Sequence, residues 1–93
     1  MLVLSILVLY NQYVIFTLLS IAIEIADRYG LEVVYAVINN HSKNLIETER
    51  NSFVQGGRTD MQFLMFEVEK CGARMIVQNQ KLVLIDSAIA ASL

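Results

Sequence analysis

Charge is scarce in this chain. Asp, Glu, Lys and Arg make up only 17% of its 93 residues, while 56% are hydrophobic; an ordinary globular chain has about 25% charged and about 45–50% apolar residues. Intrinsic disorder is therefore excluded. The 7 basic and 9 acidic residues leave a net charge of -2, and no run of Lys or Arg is long enough to track a phosphate backbone. Nucleic acid is not an expected partner. The single cysteine makes no intramolecular disulfide and offers no zinc-ligand cluster, which fits a reducing, cytoplasmic setting. There is no phosphate-binding glycine loop, because Gly56-Gly57 neither follows a predicted strand nor precedes a Lys-Ser/Thr pair. Nor is there a carboxylate pair with a plausible shared site. No metal or cofactor is expected. A chain of this length makes one domain, residues 1–93, and buries roughly 60–65% of its unfolded surface. Its apolar surface exceeds what a small monomer hides.

Charge is absent altogether from Met1 to Ile23, and about 20 apolar residues in a row would cross a bilayer. Several features oppose a span. The first residues supply no basic region of a signal peptide, and no small-residue cleavage site follows. Asn11-Gln12 divides the stretch into a Val/Ile/Leu-rich strand, Leu2–Tyr10, and a helix, Tyr13–Tyr29. On that helix Thr17, Ser20, Glu24, Asp27 and Arg28 form one polar stripe, which a lipid-facing helix would not keep. Glu24 and Arg28 also stand at i and i+4 in the favourable order.

Strand and helix then alternate. Leu31–Ile38 is a nearly continuous apolar run, short enough for a strand buried on both faces. A short helix over Ser42–Arg50 and a flexible connection over Asn51–Arg58 follow. Thr59 and Gln62 have capping-box spacing and Gly72 is a stop signal, so Asp60–Cys71 reads as a helix. Strands are expected at Arg74–Val77 and Leu82–Ile85, and a closing helix capped by Asp86 or Ser87. The alternation predicts a small three-layer α/β fold with a mostly parallel sheet of three to four strands flanked by helices.

Such a sheet binds ligands beyond the carboxyl ends of its strands. In a parallel arrangement Asn11, Gln12, Asn39, Asn40, His41, Ser42, Gln78, Asn79 and Gln80 all gather there. They are turn formers and helix caps on one reading, and on the other an amide-rich pocket for a small polar or anionic ligand. His41, the only histidine, is the natural proton-transfer candidate, with no acidic neighbour to orient it. Cys71, at a helix C-terminus and opposite this edge, is a poor nucleophile. Met61, Leu64, Met65 and Val68 form the stripe expected to cover the sheet, which leaves Phe63 and Phe66 on the far side as a self-association surface.

Leu31–Ile38 and the helix leading into EKCGARMIVQNQKL (Glu69–Leu82) resemble the DsrE/DsrF-like sulfur-relay superfamily. Aligned with that pattern, Gly72 takes the turn, Arg74–Val77 the strand, and Gln78 the position where active members carry cysteine. LVLIDSAIAASL (Leu82–Leu93) is similar to a shortened last strand and helix. The likeness spans Leu31–Leu93 and rests on strand and helix patterning. It implies a flavodoxin-like topology, multimeric assembly and, in active members, persulfide transfer at the cysteine. An amide cannot carry a persulfide, so it implies a noncatalytic, homo-oligomeric binding protein whose partners are itself and sulfur-relay components. A sulfurtransferase using Cys71 and a small single-pass membrane protein are the alternatives.

Overall fold

The computed structural model describes residues 16–50, 53 and 56–93. The expected strand Leu2–Tyr10 and the candidate residues Asn11 and Gln12 lie outside them. The described elements are α1 (Leu18–Arg28), β1 (Glu32–Ala36), α2 (Asn40–Glu47), α3 (Asp60–Lys70), β2 (Ala73–Gln78), β3 (Lys81–Asp86) and α4 (Ser87–Ala91).

The first helix begins later than Tyr13, and the reason is local. Phe16 pairs with Arg50 through two backbone hydrogen bonds of 2.7 and 2.6 Å, so its amide is committed to a β-bridge. Thr17 is extended (φ -107°, ψ 159°) and caps the helix, its Oγ1 accepting the Ser20 N–H while Ser20 Oγ accepts the Thr17 N–H. No helix runs unbroken through this point. The helix ends at Gly30, whose left-handed φ of 67° lets the Leu31 N–H reach back to the Ala26 carbonyl. The anticipated Glu24–Arg28 pair forms at 3.2 Å. At 11 residues, α1 is too short to span a bilayer, and no described helix is long and apolar enough to do so.

The sheet has the order β1-β3-β2 and is mixed. β1 runs parallel to β3 from Glu32↔Lys81 to Ala36↔Ile85; β2 runs antiparallel to β3 from Ala73↔Asp86 to Gln78↔Lys81. The expectation of a mostly parallel sheet is corrected here. Only Asn79 and Gln80 separate β2 from β3, and a two-residue connection joins antiparallel strands, whereas a parallel crossover needs a dozen residues or more. Both residues have positive φ, 52° and 61°, the backbone of the mirror-image turn that matches strand twist.

The core lies on one face of this sheet. Leu82 and Leu84 of β3 and Ala73 and Met75 of β2 are buried with Leu18, Ile21, Ala22, Ile25 and Ala26 of α1, Ile46 of α2, and Phe63, Leu64 and Val68 of α3; Val33 and Tyr35 of β1 pack against them. The expected inward stripe on α3 is thereby rotated. The observed one is Asp60, Phe63, Leu64, Glu67 and Val68, and Met65 is 43% exposed. Phe63, expected at an interface, has no exposed surface and meets Phe53 edge-on at 6.2 Å. Two carboxylates share the buried stripe because each has a partner: Arg50 and Lys70 lie 3.6 and 3.5 Å from Glu67, and Tyr29 Oη donates to Asp60 at 3.4 Å.

Candidate functional site

At the carboxyl ends of β1 and β3 the backbone turns into α2. Asp86 is 5% exposed, and its two oxygens accept the Ile38 N–H at 2.9 Å and the Asn39 N–H at 3.1 Å. The expected side-chain cap on α4 is not made, because this carboxylate is taken by a loop 47 to 48 residues earlier in the chain. Asn39 caps α2, its Oδ1 accepting the Ser42 N–H at 3.0 Å. Asn40 and His41 are exposed in the first turn, whereas Ser42 is buried.

The antiparallel run of β2 brings a different neighbour to this end. Ala73 pairs with Asp86, so Cys71 and Gly72 lie beside Asn39–Ser42 rather than opposite them. A methyl group on Gly72 would stand 3.0 Å from Ser42 Oγ, and its φ of 79° is left-handed. The Ser87 N–H donates to the Gly72 carbonyl at 3.2 Å, closing the knot.

Gln78, Asn79 and Gln80 lie at the other end of the sheet, where the Glu32 N–H donates to the Gln80 carbonyl at 3.0 Å. All three side chains are exposed. The nine-residue edge read from the sequence is therefore divided: Asn39, Asn40, His41 and Ser42 stay together, and Gln78, Asn79 and Gln80 are a sheet's length away.

Two titratable groups near this end are engaged in structure. Tyr35 Oη donates to Glu47 Oε2 at 2.7 Å, and burial, then that bond and the carboxylate charge, push the phenol far above its ordinary value. Cys71 is 3% exposed, and burial pushes its thiol up; Arg50 and Lys70 oppose that shift, and Glu67 adds to it. A protonated, covered thiol is a weak nucleophile. Among the described residues, no group of three or more His, Cys, Asp or Glu could hold a metal ion.

A shallow groove of about 280 Å³ runs along the outer side of α3, lined by Arg58, Gln62, Met65, Phe66 and Glu69. Phe66 is 42% exposed, and the Arg58 guanidinium sits 4.2 Å and the Lys70 ammonium 5.1 Å from its ring centre. Cations thus cover part of the ring that hydropathy marks as an interface.

The other face of the sheet carries the second side of Leu31–Ile38, the run that reads from its sequence as buried on both faces. Register places Glu32, Lys81 and Gln78 in one row, Val34, Val83 and Ile76 in the next, and Ala36, Ile85 and Arg74 in the third. Five aliphatic side chains are neighbours there, all half-buried, and none belongs to the core cluster formed among the described residues. The signal was present in the sequence: LEVVYAVI and KLVLID are apolar on both alternations, not one.

No protein-family model, curated protein or solved structure matches the chain.

Proposed function

We propose that this chain is a noncatalytic interaction protein that works as a homo-oligomer through the outer face of its sheet. One observation carries the reading. Val34, Ala36, Ile76, Val83 and Ile85 form a continuous aliphatic patch across three strands, on the side away from α1, α2 and α3. A one-sided antiparallel or mixed sheet ordinarily turns polar residues to water, and contiguous apolar patches mark interaction surfaces. The high apolar fraction of so short a chain supports the same conclusion.

The noncatalytic part is supported by how the reactive groups are used. Asp86 holds backbone amides, Glu67 meets two cations, and the Cys71 thiol is buried and kept protonated. This use of Cys71 works against the sulfurtransferase alternative, since a persulfide forms from an accessible thiolate. The narrower reading, a DsrE-like component of an intracellular sulfur relay, is supported by the Leu31–Leu93 resemblance, and the cytoplasmic setting by the lone thiol.

Sedimentation equilibrium of the full chain at micromolar concentration tests the proposal. The expected mass is a multiple of 10.5 kDa, with reversion to a monomer in Ile76→Lys at unchanged far-ultraviolet circular dichroism. A wild-type monomer overturns it.

A further inference from the structure

Resting on that reading, we infer that the occupant of the outer sheet face is a second copy of the chain, packed about a two-fold axis that sets Glu32 of each copy over Arg74 of the other. The inference comes from the corners of the patch. Glu32, on β1, and Arg74, on β2, are exposed and stand at diagonally opposite corners of the three-by-three grid centred on Val83. They are its only corner charges; Gln78 and Ala36 occupy the other two.

A closed dimer presents the same patch from both subunits, so the two-fold axis lies in the interface plane. The direction of the axis decides which corners meet. An axis along the strands puts Glu32 over Gln78 and Arg74 over Ala36 of the second copy. An axis across the strands puts Glu32 over Ala36 and Arg74 over Gln78. The diagonal through Glu32 and Arg74 sets each charge against its own like. The perpendicular in-plane axis instead pairs Glu32 with Arg74 twice, by symmetry, around an aliphatic centre. With strands about 4.8 Å and alternate residues about 6.7 Å apart, Lys81, the remaining charge in the grid, then falls about 1.5 Å beyond the line of β2, between Ile76 and Arg74 of the other copy.

Sheet dimensions support this arrangement. Strands about 4.8 Å apart and alternate residues about 6.7 Å apart put the axis about 35° from the normal to the strands, so the two sheets cross at roughly 70°, near the orthogonal class of sheet packing. α4 follows Asp86 directly at the Arg74 end of the sheet and packs against β2 and β3.

Charge exchange tests the arrangement, because Glu32 and Arg74 are exposed and their replacement spares the core. The dimer dissociation constant is measured by sedimentation equilibrium for the wild type, Glu32→Arg, Arg74→Glu and the double variant. Each single exchange sets like charges together twice and is expected to weaken the dimer about tenfold or more, and the double variant to recover most of that loss. Silent single exchanges, or a double variant weaker than both, overturn the inferred axis. If Ile76→Lys still dissociates the dimer in that case, the functional reading stands without it. A wild-type monomer, the result if another stretch of the same chain takes up the face, overturns both, as does an oligomer that Ile76→Lys leaves intact.

Discussion

At one end of the sheet Asp86 and Ser42 are buried and Asn39 is fastened to both the helix it caps and the strand beside it; at the other, Gln78, Asn79 and Gln80 stand exposed on a two-residue turn. Both ends are short polar runs following an apolar strand. What separates them is the partner each run meets. The first is drawn inward by a carboxylate nearly fifty residues away, while the second is held by backbone bonds, one of them from the Glu32 N–H of β1. Polar residues at strand ends thus mark a binding edge only when strand direction brings them together and their hydrogen bonds are still open.

The comparison breaks most visibly at Asp86. Asp86→Ala strands two amides whose acceptor is charged, and bonds of that kind are worth about 1.5–3 kcal/mol each, so a loss of about 3 kcal/mol in urea unfolding is expected. Asp86→Asn should retain part of it, since one oxygen still accepts. An effect no larger than that of an exposed substitution would mean that the knot contributes little.

Gly72→Ala comes next. A left-handed backbone costs a residue with a side chain about 1–2 kcal/mol, and the added methyl meets Ser42 Oγ at 3.0 Å. Placing Gly72→Ala in a Ser42→Gly background should relieve the contact and leave the conformational part, and the difference between the two losses measures the fit at this end.

Cys71 gives a pH signature. Its thiol pKa is raised in the folded chain, so its contribution is whole below the ordinary thiol value near 8.5 and is lost as pH climbs past it, by up to about 1.4 kcal/mol per pH unit. Thermal unfolding of the wild type should therefore weaken above that pH more steeply than that of Cys71→Ala. Parallel curves would contradict the buried, neutral thiol.

The smallest effect belongs to the exposed end. Gln80 holds a φ of 61°, a conformation glycine adopts without penalty, although glycine has more unfolded-chain entropy to lose. Gln80→Gly should stabilise the hairpin by about 0.5 kcal/mol net, seen as a rise in Tm. A fall would mean that the Gln80 side chain makes a contact at this end.

Much of this was legible from spacing. Thr59 and Gln62 form the capping box their separation suggests, Glu24 and Arg28 pair across one turn, and Gly72 ends α3. These are local relations, fixed by helix geometry. The hairpin was missed because Asn79-Gln80 lacks the glycine that usually announces a mirror-image turn. Phe63 was misplaced because Asp60 and Glu67 flank it on the buried stripe, and carboxylates read as solvent-facing until Arg50, Lys70 and Tyr29 are seen beside them. The bond from Asp86 to Ile38 and Asn39 spans too much chain for any pattern to show.

The position of β3 also governs how the chain is made. It is the central strand of the sheet, yet it follows both of its neighbours in the chain, so β1 waits through two helices and a strand for its partner. Chains fold from the N-terminus as they leave the ribosome. Here β1 exits before the strand it pairs with, and a chain cut ahead of Lys81 lacks the strand that joins the other two.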